Sequence, residues 1–187
     1  MLVFDFINVG NGDSILIREM EQGQQKFAMM VDCGHDRLVR DDHHQELDPR
    51  SKRIFAGDFL RKQGVDHLDL LLVTHFHRDH IGGMDRVLEA ASVDRLLTPY
   101  IPPEDAQDLD PDGDNGLSKA GRNLLRCVNL YAKHFIRYRD RIGEVVELKG
   151  DRMVKLSLTA KKTMAWLSSR TISSCGHRKT PSFTTYF

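Results

Sequence analysis

The feature that most constrains this chain is a run of ten residues, Thr74-His75-Phe76-His77-Arg78-Asp79-His80-Ile81-Gly82-Gly83. It comes directly after Leu68-Asp69-Leu70-Leu71-Leu72-Val73, an apolar stretch that reads as the end of a buried strand, predicted over His67–Thr74. Alternate side chains of an extended segment share one face, so His75 and His77 can reach one ion. Asp79 and His80 are adjacent, and a turn there can aim them at a second centre nearby. Gly82-Gly83 is expected to let the backbone bend and pass close to whatever is bound. A helical pattern then opens at Met84, Val87, Leu88 and Ala91.

Imidazole and carboxylate donors without a neighbouring thiolate suit zinc, as one or two ions, with iron or manganese also compatible. A single His-x-His in a polar loop is ordinarily solvated. Four donors in six residues at a strand end point instead to a metal site.

Thr-His-x-His-x-Asp-His-x-Gly-Gly resembles the metal-binding motif of the metallo-β-lactamase superfamily. Two upstream stretches, Asn8 to Ile17 and Met30-Val31-Asp32-Cys33-Gly34, are similar to the opening of its branch that includes the hydrolase domain of competence-type DNA-uptake proteins. The resemblance implies an α/β fold, a metallo-β-lactamase-like αββα sandwich with mixed sheets. Residues 1–158 would be the N-terminal part of that hydrolase domain and 159–187 a basic Ser/Thr-rich tail. The late features of the family are a strand pair, a Gly-Asp step supplying a bridging carboxylate, and a late histidine. None is recognisable in 159–187, where His177 is the sole histidine, so the fold is expected to be incomplete in its C-terminal half. Four metal ligands carry over: His75, His77, Asp79 and His80. The resemblance also makes Asp32 a group that orients the metal loop, although a turn-forming Asp before Gly is an equally good reading.

The function implied by this resemblance is that of a zinc-dependent hydrolase, using a metal-bound hydroxide to cleave an ester-like bond. His75 and His77 would hold one ion, Asp79 and His80 would help hold a second, and Asp79 would aim the nucleophile as the catalytic residue. Phosphodiester, thioester and lactam amide are all open as small-molecule or polymeric substrates, with the DNA-uptake resemblance leaning to phosphodiesters. The alternative is a non-catalytic metal-binding or interaction module derived from a truncated metallo-hydrolase. A third reading, a nucleic-acid-binding protein without chemistry, predicts strongly salt-dependent binding that survives chelation.

Charge sharpens the tail problem. Residues 1–151 hold all 27 acids but 20 of the 27 bases, whereas 152–187 hold seven bases and no acid. No apolar run approaches the roughly 20 residues that span a bilayer, and Met1-Leu2-Val3-Phe4-Asp5 lacks a basic leader pattern. Three widely spaced cysteines argue against a disulfide framework, so a cytoplasmic protein without a membrane partner is expected.

The rest of the chain reads as a β meander and then alternating helices and strands. Strands are predicted over 2–9, 14–18 and 26–31, with turns at Gly10–Asp13 and Gln22–Gln25. Residues 35–50, with His43 and His44, read as solvated loop. Ser51 is placed as the N-cap of a helix burying Ile54, Phe55, Phe59 and Leu60 and ending before Gly64. A further strand is predicted over Val93–Thr98. Asp108–Gly113 imitates half a calcium loop, but Pro111 and Lys119 at the twelfth position argue against it. Ser118 caps a long helix with Leu124, Leu125, Val128, Tyr131, Phe135 and Ile136 on its apolar side. Opposite lies a basic stripe, Lys119, Arg122, Arg126, Lys133 and Arg137, better read as a solvated face than as a nucleic-acid track. A hairpin is predicted over 144–158. Half a sandwich would leave apolar sheet surface open, so self-association is expected.

Overall fold

Strands β1 (Leu2–Phe6), β2 (Ile15–Glu21) and β3 (Gln24–Val31) form the meander, joined antiparallel in the order of the chain. Their runs of β-branched and aromatic residues suit a pleated surface. The computed structural model describes residues 1–37, 52–106, 109–113 and 117–148, all within one unit, Met1–Gly150. The His43-His44 loop, the Ser51 cap, the hairpin strand over 153–158 and the 159–187 tail lie outside the described residues.

From β3 onward the sheet changes sense. β5 (Leu70–Leu72) runs parallel to β3, and β6 (Ser92–Thr98) runs parallel to β5. Strand β6 also takes the two-residue β4 (His67–Leu68) and β7 (Ile142–Glu147) as parallel partners. The seven described strands thus form one mixed sheet, as an α/β protein of this element order requires.

The long strand expected over His67–Thr74 is interrupted at Asp69. Its N–H donates to the Ala28 carbonyl at 2.9 Å, and its carboxylate accepts the Ala28 N–H at 2.7 Å. The side chain thereby stands in for a ladder carbonyl and splits the strand in two.

Helix α1 spans Ala56–Gln63 and ends at Gly64 as expected, but it starts later than the sequence suggests. Ile54 donates its N–H to Asn8 at 3.0 Å, which keeps it extended and outside the helix. Helices α2 (Arg78–Ile81) and α3 (Met84–Ala90) come after β5, and α4 (Lys119–Arg137) precedes β7. The Ser118 hydroxyl accepts the Gly121 N–H at 3.1 Å, the expected cap of α4.

One face of the sheet carries Leu16, Met30, Leu71 and Leu96 into a core closed by Leu60, Met84, Val87, Leu88, Tyr131 and Phe135. Burying each such side chain stabilises the fold by roughly 1.5–3 kcal/mol. Helix α4 meets that core through Tyr131, His134 and Phe135, while Leu124 and Ile136 are exposed, against expectation. Its first half faces the 109–113 segment instead, where Asn129 donates to the Leu109 carbonyl and Arg126 pairs with Asp112. Among the described residues no helix is long and apolar enough to cross a membrane.

Candidate metal centre

The metal loop leaves the C-terminal end of β5 in extended form, and its side chains alternate as expected. Phe76 turns inward, its ring 4.6 Å from that of buried Tyr131. His75 and His77 therefore turn outward together, with ring centroids 4.8 Å apart. His77 then serves as the N-cap of α2, whose first turns carry Asp79 and His80 back toward His75.

That return makes His80, not His77, the nearest ring to His75, with centroids 4.0 Å apart. His80 Nε2 also faces Asp79 Oδ2 at 3.8 Å. Of the four residues singled out in the sequence, His75 and His80 come together, while His77 approaches only His75 and Asp79 only His80. Donor atoms within 4.8 Å of one another come from Asp32, His75 and His80; His77 and Asp79 stand at the rim of that group.

Asp32 is the hub. Only 2 % exposed, it adopts a left-handed backbone at φ 55°, a conformation that non-glycine residues keep where surrounding contacts enforce it. One carboxylate oxygen accepts the Thr74 N–H at 2.8 Å; the other accepts the Thr74 hydroxyl at 2.6 Å and lies 2.8 Å from His80 Nδ1. With the Nδ1 proton of His80 given to Asp32, its Nε2 lone pair faces outward. His75 Nδ1 lies 2.9 Å from the same Thr74 hydroxyl, whose own hydrogen is engaged by Asp32. His75 Nδ1–H must then be the donor, which again leaves Nε2 free to bind. Oriented imidazoles backed by a carboxylate are the usual outer support of a metal site, so the donor set fits a divalent ion.

Burial pushes the His75 imidazole below its usual value, and the neighbouring His80 and His77 rings add to the shift. The ring is thus kept in its neutral, ligating form. Cys33 is no rival ligand: at 1 % exposure, burial and then the Asp32 charge hold its thiol protonated.

Backbone contacts lock the loop in place. Cys33 donates its N–H to the His80 carbonyl at 2.7 Å, and Gly83 donates to Gly34 at 3.0 Å. A Cβ on Gly83 would lie 2.4 Å from the Cys33 carbonyl oxygen, and one on Gly82 would lie 2.5 Å from Asp36 N. Neither glycine has a positive φ. Their role is close passage of the 33–36 segment, not the bend expected from the sequence. Gly12 (φ 83°) does the same from the other side, since a Cβ there would fall 1.7 Å from the Asp79 carbonyl oxygen. Asp36 clamps the first turn of α2, accepting Arg78 Nε at 3.0 Å and Nη2 at 2.5 Å. Burial raises its carboxyl, but the Arg78 hydrogen bonds and charge outweigh that and hold it below the ordinary value.

Comparison with known proteins bears on this geometry. A family model described as the metallo-beta-lactamase superfamily matches residues 7–106. ComE operon protein 3 of Bacillus subtilis (strain 168) is 28 % identical over 100 residues, which are 51 % of this chain and 12 % of that protein. A solved structure described as a new diphosphatase from the PhnP family covers 77 % of this chain and 39 % of its own, at 15 % identity and a TM-score of 0.34. The chain spans a minor part of the length of both.

Proposed function

The chain belongs to the metallo-beta-lactamase superfamily, and from that premise we propose that it is a zinc-dependent hydrolase of an ester-like bond, with phosphodiesters favoured. The observation that carries the proposal is the Asp32–His80 and Thr74–His75 support, which turns two ring nitrogens outward beside Asp79 and His77. His75, His77, Asp79 and His80 are the ligands we assign. When bound, the ion supplies Lewis acidity toward a substrate oxygen and brings the pKa of a coordinated water to about 7.

The chain's own groups do the rest. Asp32 and Thr74 fix two imidazoles in the tautomer that presents Nε2. Asp79, with its side chain 39 % exposed, would accept a hydrogen bond from the attacking water and aim it. The Gly12 turn and the 33–36 segment hold the loop so that these positions are set before substrate arrives. The phosphodiester preference rests on resemblance to DNA-uptake hydrolases, and fold alone does not fix a substrate.

Metal analysis of the purified full chain, together with turnover of bis(p-nitrophenyl) phosphate, a thioester and a cephalosporin, tests the reading. Zinc-dependent hydrolysis that is lost on chelation and in His77→Ala supports it. Zinc bound tightly with no turnover of any of the three would favour the non-catalytic module.

A further inference from the structure

We propose that His67, Asp69 and Asp94 form a second divalent-cation site, at the end of strand β5 opposite to the His75 loop. One donor atom from each residue lies within 4.8 Å of the other two. One imidazole and two carboxylates make a nitrogen–oxygen set of the kind that takes zinc or manganese.

Two of the three donors, His67 and Asp69, are aimed by a partner outside the trio. His67 Nδ1 lies 3.2 Å from Ser92 Oγ, while its Nε2 points to Asp94 Oδ2 at 3.3 Å. With Nδ1–H on the serine oxygen, the Nε2 lone pair turns toward the carboxylates, the arrangement by which ligating imidazoles are held. Asp69 is pinned through Ala28, which it contacts by both backbone and side chain. One carboxylate oxygen is thereby fixed and the other left for a ligand.

The sequence shows a local conflict at the same place. Asp69 interrupts an otherwise apolar run, Leu68–Val73, where aspartate is disfavoured in a strand. The β4–β6 register pairs His67 with Ser92 and Leu68 with Val93, so one step further brings Asp69 beside Asp94. Like charges at facing positions destabilise a strand pair, and a divalent ion between them reverses the sign of that term. His67 and Asp94 are 42 % and 57 % exposed, which leaves a path for the ion and positions for water. The ion would clip the two-residue strand β4 to β6, a structural role independent of the hydrolytic site.

Equilibrium dialysis of the full chain against zinc, with metal counted by plasma emission, provides the test. The His75→Ala/His77→Ala variant is expected to keep one zinc per chain, and adding His67→Ala or Asp94→Asn should remove it. In the otherwise unaltered chain, His67→Ala should lower the zinc count by one, and Ser92→Ala should weaken that ion about tenfold. Far-UV circular dichroism checks folding, which these half-exposed positions should not disturb. If His67→Ala and Asp94→Asn leave the zinc count unchanged, the second site does not exist, whatever the His75 loop binds.

Discussion

Asp32 Oδ2 sits 2.8 Å from His80 Nδ1 and 2.6 Å from the Thr74 hydroxyl, so a single buried oxygen sets the hydrogen-bonding state of two metal-loop histidines. Asp32→Asn tests this with little change of shape, because asparagine also tolerates the left-handed backbone. Its amide would present hydrogens to His80 Nδ1 or lose the Thr74 donor. In the first case the proton of His80 moves to Nε2, where it blocks binding; in the second the amide hydrogens meet the Thr74 N–H and push the metal loop out of place. Zinc affinity, measured by competition with a chromophoric chelator, should fall about 10- to 100-fold. An unchanged affinity would remove Asp32 from the site.

Gly12 and Gly23 have almost the same backbone angle, φ 83° and 78°, but among the described residues no atom lies within 4 Å of a would-be Cβ on Gly23. Gly23→Ala should therefore cost only the left-handed penalty, roughly 1–2 kcal/mol. Gly12→Ala adds a collision with the Asp79 backbone, and displacing that backbone should bring its total to several kcal/mol. Chemical denaturation of both variants measures the difference. Zinc affinity should also drop in Gly12→Ala and stay unchanged in Gly23→Ala. Equal losses of stability would mean that Gly12 is an ordinary turn glycine.

These contrasts show where the sequence could be read and where it could not. The loop, α3 and the Ser118 cap were legible because their signals are local: donor spacing, a 3.6-residue repeat, one hydroxyl before a helix. Asp32 could not be separated from a common turn residue, since its meaning lies in Thr74 and His80, more than forty positions away. Gly82 and Gly83 suggested a bend because a glycine pair says nothing of the strand end that crosses it. Leu124 and Ile136 fitted the apolar stripe of α4, yet that helix reaches the core mainly through Tyr131, His134 and Phe135. Periodicity marks a face without saying how far along the helix the neighbour extends.

His134 offers a titration that the sequence did not single out. It is 9 % exposed on α4, and among the described residues its Nδ1 has no hydrogen-bond partner, so Nε2–H is left to make the bond to the Ile81 backbone. Burial lowers its pKa below the ordinary 6.5, and Arg137 lowers it further. Asp85, Asp36 and the Ile81 bond oppose without prevailing. The unfolded chain therefore takes up a proton first as pH falls. Stability from this residue is complete above about pH 6.5 and declines below it, toward the lower folded-state value. Urea titrations with chelator present, between pH 8 and 5, should show that decline, and His134→Gln should flatten it while keeping a donor for Ile81. An identical slope in the variant would assign the acid sensitivity elsewhere, with His35 and His75, also lowered by burial, as the next groups to change.

The sheet face turned away from the helices makes the last prediction. Across β1, β2, β3 and β5 the register aligns Phe4, Ile17, Met29 and Leu70, and beside them Phe6, Ile15, Val31 and Leu72. Met29 and Leu70 are buried, but toward β1 the row opens, with Phe4 51 % and Phe6 77 % exposed. Strand β1 is also the edge of the described sheet, and an apolar face beside an open edge favours association between copies. A Phe4→Ser/Phe6→Lys variant should therefore raise solubility and shift the chain toward monomer in light scattering at equal concentration. Both side chains are largely exposed, so zinc binding should be unaffected. A parent protein already monomeric at tens of micromolar, with the variant no more soluble, would show that this face does not drive association.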